Sequence, residues 1–223
     1  MARVTLSFDN GPHPEGTPRV LDALAARGLS ATFFAIGRRL AAPGGLDLAR
    51  RIVDAGHRLG GHTWSHTPLG DSGRPKTVVA ELARTQALID EVYDGEALFR
   101  PVGGGGQLGP HLLSEAAVQW LVEHRVTCVT WNSVPRDWVD PDDWMPRALS
   151  DADAMPHQLV VLHDGYPDVM RHLGAYLDCA IEGGHTFTRE FPPSCLPIVR
   201  GQEQPGLRDL VRSPHPSAKA THA

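Results

Sequence analysis

The chain lacks several things that would place it in familiar classes. None of its 223 residues lie in an apolar run long enough for a membrane helix, which needs about 20 such residues. Basic residues are outnumbered, 21 Lys and Arg against 26 Asp and Glu, for a net charge of -5. No basic cluster stands out, which argues against a nucleic-acid partner. Aromatics are sparse at 6% and do not interleave with basic residues as a single-strand stacking platform requires. Cysteine is nearly absent: Cys128, Cys179 and Cys195 are scattered, odd in number and without metal-type spacing. They are expected to be mostly buried thiols of a reducing compartment. Met1-Ala2-Arg3 leads straight into a strand-like run, with no signal-peptide pattern, so a cytoplasmic location is expected. A chain trimmed of its leader would begin in the same way.

What is present suits one soluble domain with a large core: 41% hydrophobic and 21% charged residues. Short β-like runs alternate with helical patterns, the signature of an α/β fold with parallel strands. Strands are expected at residues 3–8, 30–36, 57–61, 97–100, 126–131, 158–162 and 186–188. Helices are expected at 17–27, 46–55, 77–93, 111–123, 141–152 and 168–182, mostly closed by glycine or proline. Asp9, His62, Arg100, Asp137 and His163 all follow expected strands, and strand ends converge on one pocket in a β/α barrel. A distorted, incomplete (β/α) barrel of about seven parallel strands therefore fits better than a Rossmann sheet, whose first strand ends in a Gly-rich phosphate turn. Here that strand ends Ser7-Phe8-Asp9-Asn10-Gly11-Pro12. The domain is expected over residues 1–200, followed by a polar, Pro-rich tail over 201–223, disordered in part.

His62-Thr63-Trp64-Ser65-His66 spaces two histidines four apart, which on a helical turn puts both imidazoles on one face, able to bind one metal ion. A capping or core-packing pair has the same spacing. The preceding Gly60-Gly61 would let backbone and ligand approach closely. Asp9, before a Gly-Pro turn, taken alone reads more readily as turn chemistry than as a functional group. His163-Asp164-Gly165, after an apolar run, reads as a strand cap or as a pocket histidine.

Taken together, Ser-Phe-Asp-Asn-Gly-Pro, His-Thr-Trp-Ser-His, Phe-Arg-Pro, Arg-Asp-Trp and Val-Val-Leu-His-Asp run in order between about residues 3 and 190. This set resembles the motifs of the polysaccharide deacetylases (NodB-like, carbohydrate esterase family 4). The resemblance implies a hydrolase that removes an acyl group, most simply acetyl, from an amino sugar or a related amide. It also implies a divalent metal, usually zinc, with cobalt, nickel or manganese as alternatives. The family's Asp-His-His metal triad falls on Asn10, His62 and His66, its base on Asp9 and its acid on His163. Arg100 would pair with the base, Asp137 would tune the acid, and a backbone N–H near Gly103 would serve the oxyanion. Trp131 and Trp138 are candidates for stacking on a sugar, and each is also suited to core packing. His13, His57, His111, His124, His157, His172 and His185 are read as surface or structural.

Three positions depart from the family pattern. Asn10 stands where the metal ligand is normally aspartate, so a weaker, neutral donor is expected. Val102-Gly103-Gly104-Gly105-Gly106 stands where the family has Pro-Tyr-Gly, which would open one wall to a bulkier or non-sugar acyl substrate. Val134 replaces the first aspartate of the fourth motif. These departures leave open a metal-free amidase of small cyclic amides or ureides, and a carbohydrate-binding protein without catalysis. The oligomeric state is not legible in the sequence.

Overall fold

The computed structural model describes residues 1–70 and 74–212. The chain runs through β1 (Arg3–Asp9), α1 (Gly16–Ala25), β2 (Thr32–Ala35), α2 (Gly37–Leu40), α3 (Gly45–Asp54) and β3 (Arg58–Gly61). It continues through α4 (Pro75–Asp90), β4 (Leu98–Phe99), β5 (Leu113–Ser114), α5 (Glu115–Glu123), β6 (Thr127–Cys128) and α6 (Trp144–Ala154). Then follow β7 (His157–His163), α7 (Leu173–Glu182), β8 (Thr186–Phe187), β9 (Ile198–Val199), β10 (Gln202–Glu203) and β11 (Val211–Arg212).

The main sheet has the order β10-β9-β6-β4-β3-β2-β1-β7, with β8 also on β1. The seven expected strands are all present and pair in parallel; β9 and β10 add an antiparallel edge. Past β6 the chain reaches Ser133, which bridges to Val160 of β7. One bridge thus brings the two ends of the curl together, giving the distorted, incomplete (β/α) barrel.

Strand alternation sorts the residues of β1. Val4, Leu6 and Phe8 join Val20, Leu24 and Leu177 in the largest apolar cluster, under the helices. Ser7 and Asp9 face the opposite way, into the barrel, where both accept from Arg100. A small cluster of Phe34, Leu98, Val129, Leu159 and Cys195 packs in that interior. Cys128 and Cys195 are buried thiols, whereas Cys179 is exposed.

Several boundaries move for local reasons. The helix expected from residue 111 begins at Glu115, because Leu113–Ser114 pair with β11 and the Ser114 hydroxyl caps the helix at Ala117 N. The helix expected over 168–182 splits into a 3₁₀ turn, Val169–His172, and α7. Residues 201–212, assigned by composition to the tail, contribute β10, β11 and a 3₁₀ turn, Leu207–Leu210. Leu207, Leu210 and Val211 are buried against Leu112, Leu113 and Ala117. The remainder of that tail, 213–223, lies outside the described residues.

Candidate active site

Asp9 ends β1 and His163 ends β7, and the parallel register pairs these two residues directly. Since like positions on paired strands share a face, the two side chains enter one cleft at the C-terminal rim. Each has its own buried partner. Arg100, fully buried after β4, donates Nη1 to Asp9 Oδ1 at 2.9 Å and to Ser7 Oγ at 2.7 Å. Its other donors reach the carbonyls of Val129 and Thr130, and its guanidinium lies 4.1 Å over Phe34. Burial is the largest influence on Asp9 and pushes its pKa up. The opposing pull of Arg100, His62 and His163 prevails and holds the carboxyl below its ordinary value.

Asp137 grips His163 twice, accepting from ring Nδ1 at 2.7 Å and from the backbone N–H at 2.8 Å. Burial pushes His163 down most strongly, but Asp137 outweighs it and the net shift is upward. Asp137 is therefore the carboxylate paired with His163, while Val134 occupies the motif's first aspartate position. The Nε2 face remains for the cleft, flanked by Trp138 with ring centroids 4.6 Å apart.

The His62–His66 segment is not a helical turn, contrary to the spacing argument. It is an irregular loop in which Thr63 and His66 adopt left-handed backbone (φ 59° and 62°). Glu81 of α4 holds it, accepting from the Ser65 N–H and hydroxyl, both at 2.8 Å. The imidazoles nevertheless meet, with centroids 5.2 Å apart. His62 Nδ1 donates to the Arg100 carbonyl at 2.8 Å, which leaves Nε2 bare, 3.7 Å from Asp9 Oδ2. Burial, the largest cause, keeps both rings neutral: His62 is lowered and His66 falls to about 4.

Asn10 also adopts left-handed backbone (φ 71°), and its buried Oδ1 has no hydrogen-bond partner. Among the described residues no three His, Cys, Asp or Glu side chains are grouped to hold a metal ion. Any metal here would take the Asn10 amide oxygen as a third donor, beside two neutral imidazoles. An orphaned oxygen and a bare Nε2 supported from behind by a carbonyl are a chemically fitting set.

The glycine wall is tighter than its composition suggests. A side chain at Gly103 would strike the Trp131 ring, and one at Gly106 would strike Val134. Only Gly104 and Gly105 face open space. Trp131 is buried and donates to the Gly106 carbonyl at 2.8 Å, so it backs the wall, whereas Trp138 is half-exposed at the mouth. The clearance at Gly60 serves strand packing, since a side chain there would meet Phe34 and Leu98.

Three contributors were not legible in advance. Tyr166 lines the cleft beside His163, 43% exposed. Asp164 is buried below the Asn10 turn, its carboxylate against Gly11 and accepting from Thr17. Burial pushes its carboxyl up to about 7. His111, set aside as structural, bonds the carbonyl of Gly103. The His163-Asp164 dipeptide was the one available signal among these.

A family model described as polysaccharide deacetylase matches residues 2–118. The chain is also 33% identical over 172 residues to a chitooligosaccharide deacetylase of Rhizobium leguminosarum, covering 76% of this chain and 71% of that protein. The chain belongs to the polysaccharide deacetylase family. A peptidoglycan-N-acetylglucosamine deacetylase of Bacillus cereus is 28% identical over 169 residues, 74% of each chain. Among solved structures, the family 4 carbohydrate esterase from Streptomyces lividans, in complex with acetate, superposes with a TM-score of 0.70 at 25% identity. That match covers 87% of this chain and 96% of the esterase. As a polysaccharide deacetylase relative, the chain is a hydrolase acting on carbon–nitrogen bonds other than peptide bonds.

Proposed function

We propose that this hydrolase removes the acetyl group from N-acetylglucosamine units of an oligosaccharide, with Asp9 as base and His163 as acid. One observation carries the reading: the β1–β7 register sets Asp9 opposite His163, and each is bound to a separate buried partner of opposite charge. Two neighbouring groups whose surroundings push their protonation in opposite directions are suited to acid and base roles at one pH. The names of the chitooligosaccharide and peptidoglycan deacetylase relatives support the substrate class.

Asn10, His62 and His66 would hold a divalent ion, zinc in the first instance, which when bound polarises the acyl carbonyl and acidifies water. Asp9, kept ionised by Arg100, takes the proton of the attacking water. A backbone N–H at Gly103 serves the acyl oxygen as it becomes negative, and such a donor is worth about 3–4 kcal/mol. His163, kept protonated by Asp137, delivers its proton to the leaving nitrogen, because an amine anion is a very poor leaving group. Trp138 and Tyr166 offer apolar faces to the sugar at the mouth.

The test is acetate release from N-acetylglucosamine oligomers by protein supplied with zinc. Activity is expected in the wild type, with losses of at least about a hundredfold in Asp9→Asn and His163→Ala. Equal rates in all three proteins would exclude the assigned roles. A second reading rests on the neutral donor set at Asn10: an amidase of small cyclic amides that needs little or no metal. Turnover that persists after chelation, on such amides and not on oligosaccharides, would favour it.

A further inference from the structure

The cleft wall at Gly103–Gly106 has no side chains of its own, and glycine is the residue with the most conformational freedom to lose on ordering. Its peptide orientations must therefore be fixed from outside. Trp131 fixes the far end through the Gly106 carbonyl at 2.8 Å. His111 fixes the near end, its Nε2 lying 3.1 Å from the Gly103 carbonyl. A carbonyl only accepts, so Nε2 carries the ring proton. His111 is itself anchored, for its own carbonyl accepts from Gly70 N at 3.0 Å.

This contact has a directional consequence. In a planar trans peptide the carbonyl and the following N–H point opposite ways. His111 is not among the residues lining the cleft, whereas Gly103 and Gly104 are. With the Gly103 carbonyl held by a residue outside the cleft lining, the N–H of Gly104, on the other side of the same peptide, is the group left to face the cleft. We propose that His111 is a positioning residue that aims the Gly104 N–H at the acyl oxygen. It never touches substrate; it acts through one peptide group. The inference rests on the deacetylation reading above and adds a donor, and a residue directing it, to that reading.

Two substitutions in the full chain separate the donor from the ring. His111→Phe keeps a ring and loses the donor, whereas His111→Gln keeps a donor at a similar reach. Steady-state kinetics on N-acetylglucosamine oligomers with zinc are expected to show kcat down at least about tenfold in His111→Phe, with KM within twofold. His111→Gln is expected to retain most of wild-type kcat. The same kcat in wild type and both variants would overturn the proposal, as would an equal loss in both variants. Backbone order parameters at Gly103–Gly105 give a readout independent of turnover. They are expected to fall toward about 0.6 in His111→Phe alone. If the wild type releases no acetate, the deacetylation reading fails by itself. Unchanged order parameters in His111→Phe would then overturn the positioning role as well, and a selective fall would uphold it.

Discussion

Asn10 is the residue on which the proposed metal chemistry turns. Its amide oxygen is buried without a partner, and its neighbours His62 and His66 are both held neutral by burial. The proposed donor set therefore brings no charge to offset a cation. A carboxylate there adds one unit charge, worth about 4 kcal/mol at 4 Å near a protein surface. Asn10→Asp is expected to tighten zinc at least about tenfold, read by chelator competition; an unchanged affinity would remove Asn10 from the ligand set. Asp137 permits a pH test. It raises the His163 pKa in the folded chain, so the acid form persists to higher pH. In Asp137→Asn the alkaline limb of kcat/KM should move to lower pH. Stability follows the same linkage: a raised folded pKa contributes stability that is full below the unfolded value, about 6.5, and is lost as pH rises through the folded one. Denaturant titrations across that range should show this slope in wild type and a flatter one in the variant.

At the scale of elements, the site is assembled by strands and steadied by what lies behind them. Register alone puts Asp9 beside His163, but the His62–His66 loop has no such ladder. It relies on Glu81, next to Leu82 and one turn along α4 from Val78, the two residues that bury that helix in the core. Glu81→Ala should free Ser65 and let His66 drift, because outer supports of a metal site typically govern about 10–100-fold in affinity. We expect zinc binding about tenfold weaker by the same competition assay, with little change in melting temperature. A large loss of fold without a change in affinity per folded molecule would assign Glu81 a structural role only. The histidine spacing suggested a helix because four-residue periodicity is a helical signal. The actual loop brings the rings together through two left-handed residues, a route that periodicity does not encode.

At the scale of the molecule, the barrel is a curl whose ends meet at one bridge, Ser133 to Val160, with a C-terminal segment laid across its side. Leu207 is buried there beside Leu112 and Leu113. Leu207→Ala is expected to cost about 2–4 kcal/mol in urea unfolding, whereas a free tail would lose nothing. The seven parallel strands, the strand ends that line the cleft and the family were all legible in the chain. Their signals are local: apolar runs of strand length, glycine and proline at junctions, and motifs in order. Asp9, His62, Arg100 and His163 stood out for the same reason. The rest depended on contacts between distant segments. Polar composition disguised residues 201–212, whose few apolar side chains find partners near residue 113. Whether Asp137 could reach His163 was a question of distance, answered by two hydrogen bonds. The four glycines read as an opening, yet Trp131 and Val134 occupy the space beside two of them. Sequence determined which groups are available; packing across segments remote in the chain decided which of them meet.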